Sequence, residues 1–190
     1  MNNIRYASLN DASEIKKIID EGISENYYSI DTIKNYIIDE NSYLLVAVSE
    51  NDTPLAAMFC EKGCLKDMCR LENIPYPDET FDKYNEQDIT IVYKTVATYK
   101  DARCNGLVHG LFRKYEDIFN SVEHDLRIGL ALILPDGTIP IKKHIDEVGF
   151  SPKKIINSPW SNIKSFCTYC GNEYCKCNGM LIIKENRLGS

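Results

Sequence analysis

Two hydrophobic periods alternate along the chain. In "DASEIKKIIDEGI" the residues Ile15, Ile18, Ile19 and Ile23 recur at helical spacing, and Asp11 with Glu14 has the spacing of a capping box. The short run "IRYAS" before it reads as a strand, and "SIDTIKNYIIDE" after it predicts a second helix with Ile33, Tyr36 and Ile37 facing inward. "YLLVAVSE" and "PLAAMFCEK" read as two strands of a hairpin turning at "NDT". "DITIVYKTVAT" is rich in β-branched residues, and "LRIGLALILP" is apolar enough for a strand buried on both faces. Between them, Leu107, Val108, Leu111, Phe112, Tyr115 and Phe119 mark the buried face of a helix. "GTIPIKKHIDEVGF" predicts a short helix with Gly149 as its left-handed C-cap, and "FSPKKIINS" and "GMLIIKE" supply the last strands.

The resulting order is β-α-α-β-β-β-α-β-α-β-β, an α/β chain with helices on both faces of a mixed sheet. Its 190 residues suit a single domain, 1–190. Two segments interrupt the pattern: a charged, proline-containing insertion at 63–87 and a cysteine-rich loop at 167–177. The insertion reads as an irregular excursion with room for a short helix. A loop of that length is usually functional or mobile.

Composition narrows the function classes. A formal net charge of −6 weighs against a nucleic-acid binder, whose phosphate contacts need a basic face. No apolar run is long enough to span a bilayer, and "MNNIRYASLNDASE" lacks the basic-then-apolar order of a secretory signal. The expected setting is therefore cytoplasmic, with no membrane partner and a monomeric or homodimeric state. Positive charge is nevertheless concentrated locally. Between Lys94 and Lys114 stand Lys100, Arg103 and Arg113, against the single acid Asp101.

That basic stretch contains a strand-to-helix turn, "YKDARCNGLVHGLF". The first turn of a helix leaves backbone N–H groups unpaired at the positive end of the helix dipole, where a phosphate can bind. Asn105-Gly106 lets the backbone turn tightly and approach a ligand, and Arg103 can add a charge-assisted contact. A glycine used for turn geometry alone would look the same.

The run Arg103-Cys104-Asn105-Gly106-Leu107-Val108 is similar to the Arg/Gln-x-x-Gly-x-Gly/Ala signature of the GCN5-related N-acetyltransferase (GNAT) superfamily. "IRYASLNDASEI" resembles that family's opening strand and helix, and "HIDEVGF" its helix closing on Gly-Phe, so the resemblance covers most of residues 4–157. It implies a mixed, mostly antiparallel central sheet with a V-shaped splay between strands 4 and 5. It also implies direct transfer of an acetyl group from acetyl-CoA to a primary amine. By position, backbone groups of Val96 and Thr98 would meet the pantetheine arm, and residues 103–108 the pyrophosphate. Val108 departs from the family's small residue. Ile145 stands where the family often has a tyrosine that protonates the departing thiolate. These departures suit a second reading, a non-catalytic CoA-binding or zinc-containing regulatory module of the same fold.

No catalytic residue is assigned by this resemblance. Glu86 and Asp88, approaching the fourth strand, are candidate bases, and His144, beside Ile145, is a candidate acid. Tyr93 and Tyr169 are further candidates. The acceptor is a small-molecule or peptide amine. Tyr76, Phe81 and Tyr84 of the insertion either wall its pocket or pack among themselves.

Of the eight cysteines, Cys60, Cys64, Cys69 and Cys104 are scattered and read as buried or inert thiols. In "CTYCGNEYCKC", Cys167, Cys170, Cys175 and Cys177 lie close enough for a structural four-sulfur zinc site, C-x-x-C-Gly being the pattern of a zinc knuckle. Free thiols or a redox pair are the alternatives. A metal here would pin the connection between the last two strands.

Overall fold

A computed structural model describes residues 3–103 and 105–186. In chain order the elements are β1 (Asn3–Tyr6), α1 (Ala12–Gly22), α2 (Ile30–Ile38), β2 (Ser42–Val48), β3 (Pro54–Cys64), α3 (Leu65–Leu71) and β4 (Ile89–Thr98). There follow α4 (Leu107–Phe119), β5 (Leu126–Ile133), α5 (Lys142–Glu147), β6 (Ser151–Ile156) and β7 (Asn178–Glu185). The strands form one 7-stranded sheet in the order β1-β2-β3-β4-β5-β7-β6. Only β4 and β5 run parallel, because α4 carries the chain back across the sheet between them. No helix among the described residues is long and apolar enough to cross a membrane.

Alternation along the strands divides the interior. On one face Leu44, Val46, Ala57 and Phe59 pack against Ile15, Ile18 and Ile19 of α1 and Ile33 of α2. On the other, Leu45, Ala47, Met58 and Cys60 pack against Leu111, Phe112, Tyr115 and Phe119 of α4. Tyr115 is wholly buried, and its hydroxyl is satisfied there. It accepts the Leu45 N–H and lies 2.6 Å from the carbonyl oxygens of Tyr43 and Met58. Truncating such an aromatic anchor to alanine costs about 3–5 kcal/mol.

The insertion holds the short helix it had room for: α3 forms directly after β3, and along the otherwise irregular segment Leu65, Met68, Cys69, Ile74 and Phe81 build a second core on Val92, Leu126, Ile128 and Leu181. Apolar spacing within a charged segment was enough to cover the far half of the sheet. One local expectation is corrected: Asp11 does not box with Glu14. Its carboxylate turns back to accept from the Ser8 N–H at 2.7 Å and from Arg5 at 2.8 Å, making a 3₁₀ turn at Leu9–Asp11. Glu14 instead accepts from Tyr99 Oη at 2.6 Å and Lys17 Nζ at 2.8 Å.

One irregularity in β4 shapes the centre of the sheet. Phe59 pairs with Thr95, but the next residue, Cys60, pairs with Tyr93, so Lys94 is an extra residue in a β-bulge. Ile91 and Tyr93 therefore face α4, while Thr95 pairs opposite Phe59 and Ala97 packs with the α1 core. The parallel ladder runs from Thr90–Leu126 to Tyr93–Gly129 and stops there, although both strands continue. The expected splay between the fourth and fifth strands is present.

Candidate functional site

Beyond Tyr93 the two strands part around a cavity of about 170 Å³. Lys94, Thr95 and Val96 line one strand wall and Leu130, Ala131 and Leu132 the other. The cavity reaches both faces of the sheet. Phe112 of α4 and Ile141 close it on one side, while Tyr27, Trp160, Ile163 and Tyr169 close it on the other. Its walls are mainly apolar, with a few polar groups converging at β4, as ligand cavities generally are. Val96 takes its expected place in the wall. Thr98 is buried at the end of β4, outside the lining.

The helix that begins beside this gap has the predicted turn. Gly106 caps α4 with φ +73°, the left-handed region, and a Cβ built there would meet nothing within 4 Å. Glycine is thus required by backbone conformation rather than by crowding, and it leaves the first-turn N–H groups uncovered. Leu107 is buried, and Val108 packs partly against the α4 core. Arg103 and Asn105 are exposed at the mouth of the turn. Cys104, also assigned to this turn from sequence, lies outside the described residues.

The candidate proton-transfer groups are scattered. Glu86 is exposed and pairs with Lys66 at 3.0 Å, which lowers its carboxyl pKa. Asp88 accepts from the Asn85 N–H at 3.0 Å, organising the turn before β4. Both stand at the closed end of the β4–β5 pair, about 20 Å along the strand from Thr95. His144 stacks on Phe112, whose ring lines the cavity, but does not line it itself. Burial and then the neighbouring His109 depress the His144 imidazole, and its Nδ1 is buried without a hydrogen-bond partner among the described residues. Tyr93 lines the cavity, yet its hydroxyl donates to Glu116 at 3.2 Å. The Tyr169 hydroxyl donates to the Gly22 carbonyl at 3.2 Å. Ile145 is a core residue.

Residues that sequence reasoning passed over are closer to the gap. Lys94, the bulge residue, is paired with Glu72 at 2.8 Å and Glu61 at 3.1 Å, with its ammonium 5.8 Å from the Tyr36 ring centroid. Burial alone would lower the Lys94 ammonium, but the carboxylates outweigh it and raise it above its ordinary value. Beside this cluster, the Tyr28 hydroxyl lies 3.0 Å from Thr95 Oγ1, and burial pushes the Tyr27 and Tyr28 phenols up. A lone lysine within "ITIVYKTVAT" was the available signal. Of the insertion, only Glu72 takes part here, and its aromatic residues are absent from the lining.

The cysteine-rich loop forms the wall on that same side. Cys167, Cys170, Cys175 and Cys177 bring their sulfurs within 4.8 Å of one another, and three of the four are buried. Gly171, at φ +68°, donates its N–H to the Cys167 carbonyl at 2.9 Å, closing a tight turn under the first pair. Burial raises the Cys170 thiol, but N–H groups of Lys176 and Asn172 outweigh it and bring the thiol to about 6. The scattered Cys60 and Cys69 are buried as expected, and Cys64 is half-buried with its thiol 3.2 Å from Asp67.

No family model matches the sequence, and no curated protein does. Solved structures do match in fold. NAA60 from Arabidopsis thaliana, solved with a bisubstrate analogue, superposes with a TM-score of 0.70 over 100% of both chains at 10% identity. Naa20 from Chaetomium thermophilum, also with a bisubstrate analogue, gives 0.68 over 96% of this chain and 86% of its own at 12% identity. A GNAT-superfamily phosphinothricin acetyltransferase from Sinorhizobium meliloti, in complex with AcCoA, gives 0.65 over 100% and 90% at 11% identity. The seven-stranded mixed sheet with its parallel β4–β5 pair and helices packed on it is therefore that of the GNAT fold.

Proposed function

We propose that the chain is an N-acetyltransferase that moves the acetyl group of acetyl-CoA directly to a primary amine. One observation carries this reading: the gap between β4 and β5 opens beside the bare, glycine-capped start of α4. A long cofactor with an anionic head and an amide-bearing arm fits that juxtaposition. First-turn N–H groups and Arg103 would hold the pyrophosphate, and the unpaired β4 edge from Lys94 to Thr98, Val96 included, would hydrogen-bond the arm.

The acceptor enters from the opposite side of the sheet, between Tyr27 and Tyr169. Glu61 and Glu72 outnumber Lys94 there and leave a negative field that favours a protonated amine. The amine must shed a proton before its nitrogen attacks the thioester carbon. The Tyr28–Thr95 hydroxyl pair and Glu72 offer a route away from the cavity. As the C–N bond forms and the C–S bond breaks, backbone N–H groups at the Lys94 bulge stabilise the oxyanion, and the proton that the attacking nitrogen loses in becoming an amide passes to the departing thiolate, so coenzyme A leaves as the thiol. The acceptor class is a small-molecule or peptide amine. Ile145 is apolar and the Tyr93 hydroxyl is committed to Glu116, so neither serves as the acid that protonates the thiolate.

Release of free coenzyme A thiol from acetyl-CoA, measured against polyamines, amino sugars and peptides with free N-termini, tests this. Acceptor-dependent release supports the transferase. Saturable acetyl-CoA binding with no release against any amine supports the silent CoA-binding module. Absence of binding contradicts both.

A further inference from the structure

We propose that Cys167, Cys170, Cys175 and Cys177 bind one zinc ion as a closed tetrathiolate, and that this ion braces the acceptor-side wall of the cavity. The first half stands on the cysteine geometry alone. The second rests on the acetyltransferase reading above.

The sulfur positions fit the ion. Four sulfurs bonded tetrahedrally at about 2.3 Å stand about 3.8 Å apart. Here the Cys167 and Cys175 sulfurs are 3.6 Å apart, and all four lie within 4.8 Å of one another. None is joined in a disulfide. An all-thiolate set selects a soft, tetrahedral divalent ion over magnesium or calcium. Four protein ligands leave no open coordination position, so the ion is structural rather than catalytic. The tight turn at Gly171 presents Cys167 and Cys170 side by side, and Cys175 and Cys177 complete the set from the returning strand of the loop, joined by the Lys164–Tyr174 bridge.

The connection between β6 and β7 has little apolar core of its own. Its buried cluster consists of Cys167, Cys175 and Cys177, supported by half-buried Leu132 and Trp160, while Phe166 and Tyr174 point outward. A segment with so small an apolar core needs a covalent or coordinate staple. Ligand thiols lose their protons as the metal binds, so the coordination energy becomes folding energy for the loop.

The same loop supplies the wall. Cys167 and Cys175 line the cavity together with Ser165 and Tyr169. The loop is tied to the end of α1: Thr168 donates its N–H at 3.4 Å and its hydroxyl at 2.8 Å to the Ile23 carbonyl. The Ser24 hydroxyl donates to the Phe166 carbonyl, and the Tyr169 hydroxyl to Gly22. Metal binding would therefore fix both sides of the acceptor entrance while leaving the start of α4 untouched.

Metal analysis of the purified full chain, followed by replacement of zinc with Co²⁺, tests the site. The expected result is about one zinc per chain and a thiolate-to-cobalt charge-transfer band, both reduced in Cys170→Ser. Less than about one-tenth equivalent of zinc together with no such band on cobalt addition overturns the site. So does a Cys167–Cys175 disulfide in the freshly reduced and re-equilibrated protein. Chelation of the wild-type chain tests the wall without relying on a variant that fails to fold. Backbone hydrogen exchange at 22–28 should accelerate and the acceptor KM rise about tenfold, with acetyl-CoA affinity unchanged. Metal bound with no change in that exchange on removal overturns the bracing role. Failure to transfer acetyl groups would remove the KM readout alone, leaving the metal and exchange measurements to decide.

Discussion

Tyr93 and Gly129 are the last residues paired across β4 and β5, and a Cβ added to Gly129 would lie 3.1 Å from the Tyr93 carbonyl oxygen. There is no spare room for a side chain at the point where the strands begin to part. Gly129→Ala should force them apart below the natural fork, destabilising the fold by about 1–3 kcal/mol and weakening acetyl-CoA binding. Urea unfolding and calorimetric titration check the two effects. An alanine variant of full stability and full affinity would mean the contact is readily absorbed.

The turn before α4 separates backbone conformation from packing. Gly106 has open space around it but a left-handed φ of +73°. Gly106→Ala should cost about 1 kcal/mol of stability. It should also raise the KM for acetyl-CoA severalfold while leaving the acceptor KM unchanged. Steady-state kinetics with each substrate varied in turn distinguish this from a general loss of fold.

Lys94 neutralises two carboxylates in a half-dry site, so its removal strands like charges together. Lys94→Met should destabilise by about 3 kcal/mol, and adding Glu72→Gln to the same chain should recover part of that loss. Chemical denaturation of the two variants checks the coupling. Equal stabilities would show that Glu61 and Glu72 do not repel across the bulge.

His124 gives the fold a pH dependence. Its Nε2 accepts from Arg127 Nε at 2.8 Å and its Nδ1 contacts the Val122 carbonyl at 2.7 Å, while burial depresses its basicity. Below about pH 6.5 the unfolded chain binds a proton that the folded ring resists. Stability should therefore fall as pH drops below that value, to which His144 adds in the same direction. A glutamine amide keeps an acceptor for Arg127 without titrating, so His124→Gln should flatten the fall between neutral and mildly acid pH. Unfolding free energies measured across that range check the slope.

Much of this architecture was legible from local pattern. The helices at Ile15–Ile19 and Leu111–Phe119 and the strand-to-helix turn at Gly106 follow from apolar period and glycine position. The bulge was not legible, because unbroken alternation would have put Ile91, Tyr93, Thr95 and Ala97 on one face, and only pairing with β3 reveals Lys94 as the extra residue. Glu86 and Asp88 looked near the chemistry because they adjoin the fourth strand. Strand direction places them at its closed end. The wall made by Tyr27, Trp160 and Tyr169 unites segments more than a hundred residues apart, which no short-range signal encodes.

The decisive measurement is backbone hydrogen exchange with and without saturating acetyl-CoA. Added protection is expected in two stretches only, the β4 edge from Lys94 to Thr98 and the opening turn of α4 from Leu107. Unchanged exchange in both stretches while acetyl-CoA is demonstrably bound would place the cofactor elsewhere and contradict the proposed binding mode.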